Sequence, residues 1–124
     1  MLDIVIPCAG EGKRFKEAGY LFPKPFIDVN GKPMIARVMD SITPSREYKF
    51  QLLDRATVGH TEGAVDTLLR ADLGDNPVLV ANCDQLIDFP IDDLLAFAAG
   101  DCALVTFTAD NPAHSYVTCD PNNR

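Results

Sequence analysis

Three cations and one carboxylate stand where small residues leave room for a ligand. Lys13 and Arg14 follow Ala9-Gly10-Glu11-Gly12, Lys24 lies between Pro23 and Pro25, and Asp84 follows Asn82-Cys83. Alanine and glycine leave the backbone bare, so successive N–H groups can close around an anion while fixed positive charge nearby strengthens the attraction. Phosphate suits such a loop. The carboxylate at the second loop suits Mg²⁺, which takes oxygen ligands and usually completes its shell with water and substrate phosphates. The bland alternative for Asp84 is a cap on the turn that follows.

Two common phosphate patterns fail on these residues. The Walker pattern needs glycine where Pro7 stands and a hydroxyl where Arg14 stands. The dinucleotide fingerprint begins at Gly10 and Gly12 but meets Phe15 in place of its last glycine. What remains is Ala9-Gly10-x-Gly12-x-Arg14, a spacer, and Pro23-Lys24-Pro25, with Val29-Asn30-Gly31-Lys32-Pro33-Met34-Ile35 close behind.

This combination resembles the sugar-phosphate nucleotidyltransferases, whose signature is Gly-x-Gly-x-Arg followed by Pro-Lys and then Gly-Lys-Pro-Met-Ile. The resemblance implies that a sugar-1-phosphate oxygen attacks the α-phosphorus of a nucleoside triphosphate and pyrophosphate leaves. It assigns Arg14 to the β- and γ-phosphates with Lys13 assisting, and nucleotide contacts to Ala9, Gly10 and Gly12. Lys24 draws together the α-phosphate and the sugar phosphate, and Asp84 holds Mg²⁺. Thr61-Glu62-Gly63-Ala64 resembles the segment that reads the nucleobase, which gives Glu62, Gly63 and Ala64 as further nucleotide contacts; the same tetrapeptide also suits a plain helix start. Only the first half of the family is matched, ending near Ser115-Tyr116-Val117, so a second metal-binding Asp, most sugar contacts and a Glu-Lys pair are expected beyond Arg124. A nucleotide-binding or regulatory module without turnover is therefore the competing class. A glycosyltransferase using a nucleotide-sugar is a third, against which the Gly-x-Gly-x-Arg and Pro-Lys pairing speaks.

The elements that must position these residues form an α/β pattern over one domain, 1–124: a truncated, Rossmann-like, doubly wound and mostly parallel sheet. Leu2, Ile4, Val5 and Ile6 make a short β-branched run suited to a central strand buried on both faces. Residues 26–29 read as extended and turn at Asn30-Gly31; Met34, Ile35, Val38, Met39 and Ile42 share one helical face, stopped by Pro44. Between 44 and 60 only Tyr48–Leu53 carries strand signal, with no room for the crossover helix that a second parallel strand needs. The family normally spends two strands and a helix there, so the chain is expected to be internally shortened. A helix is expected from Thr61 as cap, burying Ala64, Val65, Leu68 and Leu69 and ending at Gly74. A second buried strand follows over 77–81, then a helix from Asp88–Pro90 with Ile91, Leu94, Leu95 and Ala98 inside, closed by Gly100. Cys102–Thr108 is strongly β-prone, His114–Cys119 reads as extended, and Pro121–Arg124 is turn-like.

Composition narrows the partners. With 124 residues, 47% of them hydrophobic, the chain can bury one core; a net charge of −7 argues against DNA or RNA, whose affinity rests on many Lys and Arg contacts. The cationic loop is thus sized for one small ligand. The four cysteines show no Cys-x-x-Cys spacing and read as buried free thiols. No charged leader precedes an apolar stretch and no run reaches a membrane span, so a reducing cytoplasm is expected, with a homo-oligomer left open. His60 and His114 stand apart from any nucleophile, and Asp92-Asp93 suits the positive end of a helix.

Overall fold

A computed structural model describes residues 1–98, 100 and 102–121. Its centre is β1, Leu2–Cys8, in which Leu2, Ile4, Val5 and Ile6 are buried as a parallel strand covered on both faces requires. On one side β1 pairs in parallel with β4, Tyr48–Asp54, over seven residues from Leu2↔Tyr48 to Cys8↔Asp54. On the other it pairs in parallel with β5, Val78–Val80, from Asp3↔Val78 to Val5↔Val80. The order β4-β1-β5 means that the strand order reverses at β1, with β4 added on one side and β5 on the other. Ligand sites in open α/β sheets form at such a reversal, beyond the carboxyl ends of the strands.

Between β1 and β4 lie α1 (Lys13–Glu17), a 3₁₀ turn at Lys24–Phe26, a two-stranded antiparallel hairpin of β2 (Asp28–Val29) and β3 (Lys32–Pro33), and α2 (Met34–Ser41). The hairpin turn places Asn30 and Gly31 at positive φ, and the Asp28 carboxylate accepts the Gly31 N–H at 2.9 Å. Arg37 secures it from α2, donating to the Val29 and Asn30 carbonyls. The predicted apolar face of α2 enters the core, where Ile35, Val38 and Ile42 meet Leu2, Ile4 and Ile6. α5, Ile91–Phe97, adds Ile91, Leu94 and Leu95 to that same layer. Each large apolar side chain fully buried here contributes about 1.5–3 kcal/mol.

Residues 44–60 hold one strand, β4, and one short helix, α3 (Arg55–Val58), capped by the Asp54 carboxylate on the Thr57 N–H at 2.9 Å. The single strand expected here is observed, with no second strand among these described residues, whereas α3 was not expected. α4, Ala64–Leu68, packs on β1.

Several expectations need correction. α4 ends at Leu68 instead of continuing towards Gly74; its buried residue is Thr67, while Val65 and Leu69 are 72% and 80% exposed. Its N-cap is Gly63, not Thr61. β5 is an edge strand of the three-stranded sheet rather than a buried one, and Val78 and Val80 are exposed. Cys102–Thr108 forms no strand, and His114–Cys119 likewise has no regular structure. β-propensity only makes a residue fit a paired, half-buried surface; with no neighbouring strand beside it, Leu104, Val105 and Phe107 stay exposed. Cys102 and Cys119 are exposed as well, against the expectation of burial, because they belong to this unpaired segment. Part of the turn expected at Pro121–Arg124, residues 122–124, lies outside the described residues.

Candidate functional site

Three loops leave the carboxyl edge of the sheet and enclose a cleft of about 900 Å³. The first follows β1 and contributes Ala9, Gly10, Gly12, Lys13 and Arg14; the second follows β4 and α3 and contributes Thr61, Gly63 and Ala64; the third follows β5 and contributes Asn82, Cys83 and Asp84. Lys24 and Pro25 close the side between the first and third. Of the residues singled out from sequence, all but Glu62 line this space. Glu62 faces solvent, its carboxylate 3.3 Å from His60 Nε2, and its backbone N–H donates to the Asp66 carboxylate at 2.9 Å.

The first loop turns at Gly12, whose φ of +60° lies in the left-handed region that favours glycine. A Cβ there would meet Lys24 Cβ at 3.7 Å, an ordinary van der Waals contact, so it is the backbone angle and not lack of space that calls for glycine. Lys24 is held from two directions. Its ammonium lies 5.4 Å from the Phe15 ring centroid, within cation–π range, and 2.5 Å from Asp84 Oδ2. The Phe15 ring is itself braced edge-on by Tyr20, with centroids 5.5 Å apart. Lys24 and Asp84 thus meet across 60 residues of sequence.

Lys13 pairs with Glu11 at 3.4 Å, and Glu11 also reaches Arg55 at 3.6 Å. Lys13 first, and Arg55 less, hold the Glu11 carboxyl below its ordinary range. Arg14 lies exposed on the cleft wall. Two thiols complete the wall. Burial first, then the neighbouring Cys83 and Asp54, pushes the Cys8 thiol up to about 12. Cys83 is raised by burial and then by Asp84. Both remain protonated at neutral pH, which makes them poor nucleophiles. Among the described residues no cluster of three or more His, Cys, Asp or Glu gathers to hold a metal. A lone carboxylate still fits Mg²⁺ when substrate phosphates and water supply the other ligands.

Sequence reasoning did not single out Phe15, Tyr20 or Thr67. Phe15 and Tyr20 meet in a local turn, five residues apart, where the Tyr20 N–H donates to the Phe15 carbonyl at 3.0 Å. Thr67 carried a local signal: a hydroxyl residue four positions after Gly63, placed to bond back to the i−4 carbonyl. Of the other candidates left without a role, Asp92 accepts the Ser45 N–H with both carboxylate oxygens, at 3.1 and 3.2 Å, and His114 meets the Phe107 ring edge-on.

The chain is 26% identical, over 144 aligned positions, to the bifunctional protein GlmU of Methanocaldococcus jannaschii. The match covers 98% of this chain and 34% of that protein, so the chain spans about a third of the length of this curated relative. The alignment is longer than the chain itself, so the relative carries residues within the matched region that this chain lacks. No family model matches, and no solved structure matches. Among the described residues no helix is long and apolar enough to cross a membrane.

Proposed function

We propose that this chain binds a nucleoside triphosphate and transfers its nucleotidyl group to a sugar-1-phosphate, releasing pyrophosphate. The observation that carries the reading is the convergence of Arg14, Lys24 and Asp84 on one cleft at the strand reversal, with Lys24 and Asp84 in direct contact. Reactions at phosphorus gain most from alignment and from cations that neutralise the transferring group, so no protein nucleophile is needed. The attacking sugar-phosphate oxygen is already an anion and needs no general base.

In this scheme the backbone from Ala9 to Gly12 wraps the triphosphate, Arg14 and Lys13 take its β- and γ-oxygens, and Lys24 bridges the α-phosphate to the sugar phosphate. Gly63 and Ala64 border the base, with the Glu62 side chain turned away. Asp84 would hold Mg²⁺, which supplies charge neutralisation on the phosphates. The relative's similarity supports the class of reaction and leaves the base and sugar open.

The test is incubation with Mg²⁺, each nucleoside triphosphate and a panel of sugar-1-phosphates, followed by pyrophosphate detection. Pyrophosphate appearing only when both substrates are present is the expected result. Triphosphate binding with no pyrophosphate would instead identify a non-catalytic nucleotide-binding module. Sugar transfer from a preformed nucleotide-sugar to an acceptor would identify a glycosyltransferase.

A further inference from the structure

The base-side wall of the cleft is held in an unusual backbone state by one buried hydroxyl. Gly63 sits at φ 149° and ψ −177°, a combination open almost only to glycine, and such a conformation persists where surrounding contacts over-determine it. Thr67, 2% exposed, provides those contacts: its Oγ1–H donates to the Gly63 carbonyl at 3.0 Å, and its own backbone N–H donates to the same oxygen at 3.0 Å. Because the carbonyl can only accept, the single Thr67 hydroxyl proton is committed to it. Thr61 Oγ1, 2.8 Å away, must therefore be the donor to Thr67 Oγ1. The hydroxyl relay runs Thr61 to Thr67 to Gly63, and it ties both ends of the 61–63 loop to one buried atom.

Neighbouring contacts fix the rest of the segment. Asp66 accepts the Glu62 N–H at 2.9 Å and lies 3.7 Å from Arg70, whose other terminal nitrogen donates to the Val58 carbonyl at 3.3 Å. Thr61, Gly63, Ala64 and Thr67 all face the cleft.

We infer that Thr67 is a positioning residue for nucleobase recognition: its hydroxyl fixes the Thr61–Ala64 backbone as a preformed rim against which a flat, hydrogen-bonding ring of a nucleoside triphosphate can lie. This rests on the nucleotide reading given above. It separates the two ends of the ligand, since the phosphates are held by Gly10–Arg14 and Lys24, on different elements.

The experiment measures equilibrium binding of the four nucleoside triphosphates and of inorganic triphosphate, all with Mg²⁺, to the wild-type chain, Thr67→Val and Thr67→Ser. Thr67→Val keeps the volume and removes the hydroxyl; losing two hydrogen bonds is expected to weaken the preferred nucleoside triphosphate about tenfold. Inorganic triphosphate should bind both proteins alike, and Thr67→Ser, which keeps the hydroxyl, should restore most of the lost affinity. Should Thr67→Val fail to fold, Thr61→Val removes only the donor end of the relay and should reduce the same margin about threefold. The inference is overturned if the valine variants keep the full preference for nucleoside triphosphate over inorganic triphosphate, or if serine at 67 is as damaging as valine. A wild-type chain that binds neither ligand overturns the nucleotide reading itself, and a chain that binds both equally well overturns only the role given to the base rim.

Discussion

Replacing Asp84 by Asn should change the sign of its effect on triphosphate binding according to whether Mg²⁺ is present. In the ligand-free chain Asp84 Oδ2 lies 2.5 Å from Lys24 Nζ, so the lysine proposed to take the α-phosphate is paired with the residue proposed to hold the metal. A fully shielded pair at this distance would be worth several kcal/mol, but the two side chains are 30% and 38% exposed, which puts the interaction near the top of the surface range, about 1 kcal/mol. A triphosphate arriving without metal must break that pair. Asp84→Asn removes the charge with little change in size, and in EDTA the variant should therefore bind nucleoside triphosphate about fivefold more tightly than wild type. In Mg²⁺ the order should invert, because the wild-type carboxylate turns to the cation, freeing Lys24 for phosphate, while asparagine is a poorer ligand for a hard cation. Titration calorimetry in EDTA and in Mg²⁺ reads both arms. Equal weakening of the variant in both buffers would refute the reasoning, since that is what loss of a merely structural ion pair produces.

Other consequences follow from the same geometry. Lys24→Ala or Arg14→Ala should lower turnover by orders of magnitude while leaving the circular dichroism and melting curve close to wild type; near-normal pyrophosphate release in either variant contradicts the roles proposed for them. With a monofunctional thiol reagent at pH 8, Cys102 and Cys119 should react first, with Cys8 and Cys83 lagging because burial keeps their protons on; peptide mass mapping over time resolves the order. The folded chain keeps on Cys8 a proton that the unfolded chain releases near 9.0, so stability is fully present below that pH and should fall as pH rises from about 9 towards about 12. Urea midpoints that drop less in Cys8→Ala over that range would show the linkage. Gly63→Ala forces a side chain into φ 149° and should cost about 1–3 kcal/mol of stability, visible as a lowered urea midpoint with unchanged slope.

Local patterns were readable wherever a residue's neighbours in sequence are also its neighbours in space. The Gly10–Arg14 loop, the Asn30-Gly31 turn and the apolar face of α2 each declare themselves within a few residues, and the structure has all three. The single strand at Tyr48–Asp54 was readable for the same reason, as a count of residues too small for a second strand and crossover. The failures concern covering and pairing. Val78 and Val80 are as β-branched as any core strand, yet both stay exposed, and α4 buries Thr67 where the pattern offered Val65 and Leu69.

The site itself depends on a quantity that no local pattern contains, the register of β5 against β1. Asp3 pairs with Val78 and Val5 with Val80, and the next backbone bond, Ala81 N–H to the Val5 carbonyl at 3.1 Å, continues the ladder. Extended at the same offset, this register carries Cys83 to the level of Cys8, so that the loops holding Asp84 and Gly10 leave the sheet side by side; the influence of Cys83 on the Cys8 thiol reflects that closeness. Slipping β5 by two residues would return every side chain to its original face and so leave the hydrophobic pattern satisfied. It would also move Asp84 by roughly 6.6 Å at the usual rise of a strand, out of reach of Lys24. Selection between such registers falls to specific polar contacts, and here one is visible: the Asn76 side chain, just before β5, donates to the buried carboxylate of Asp3 at 3.2 Å. A buried carboxylate left without partners is costly, so the Asp3–Asn76 contact favours the one register that also brings Asp84 to Lys24.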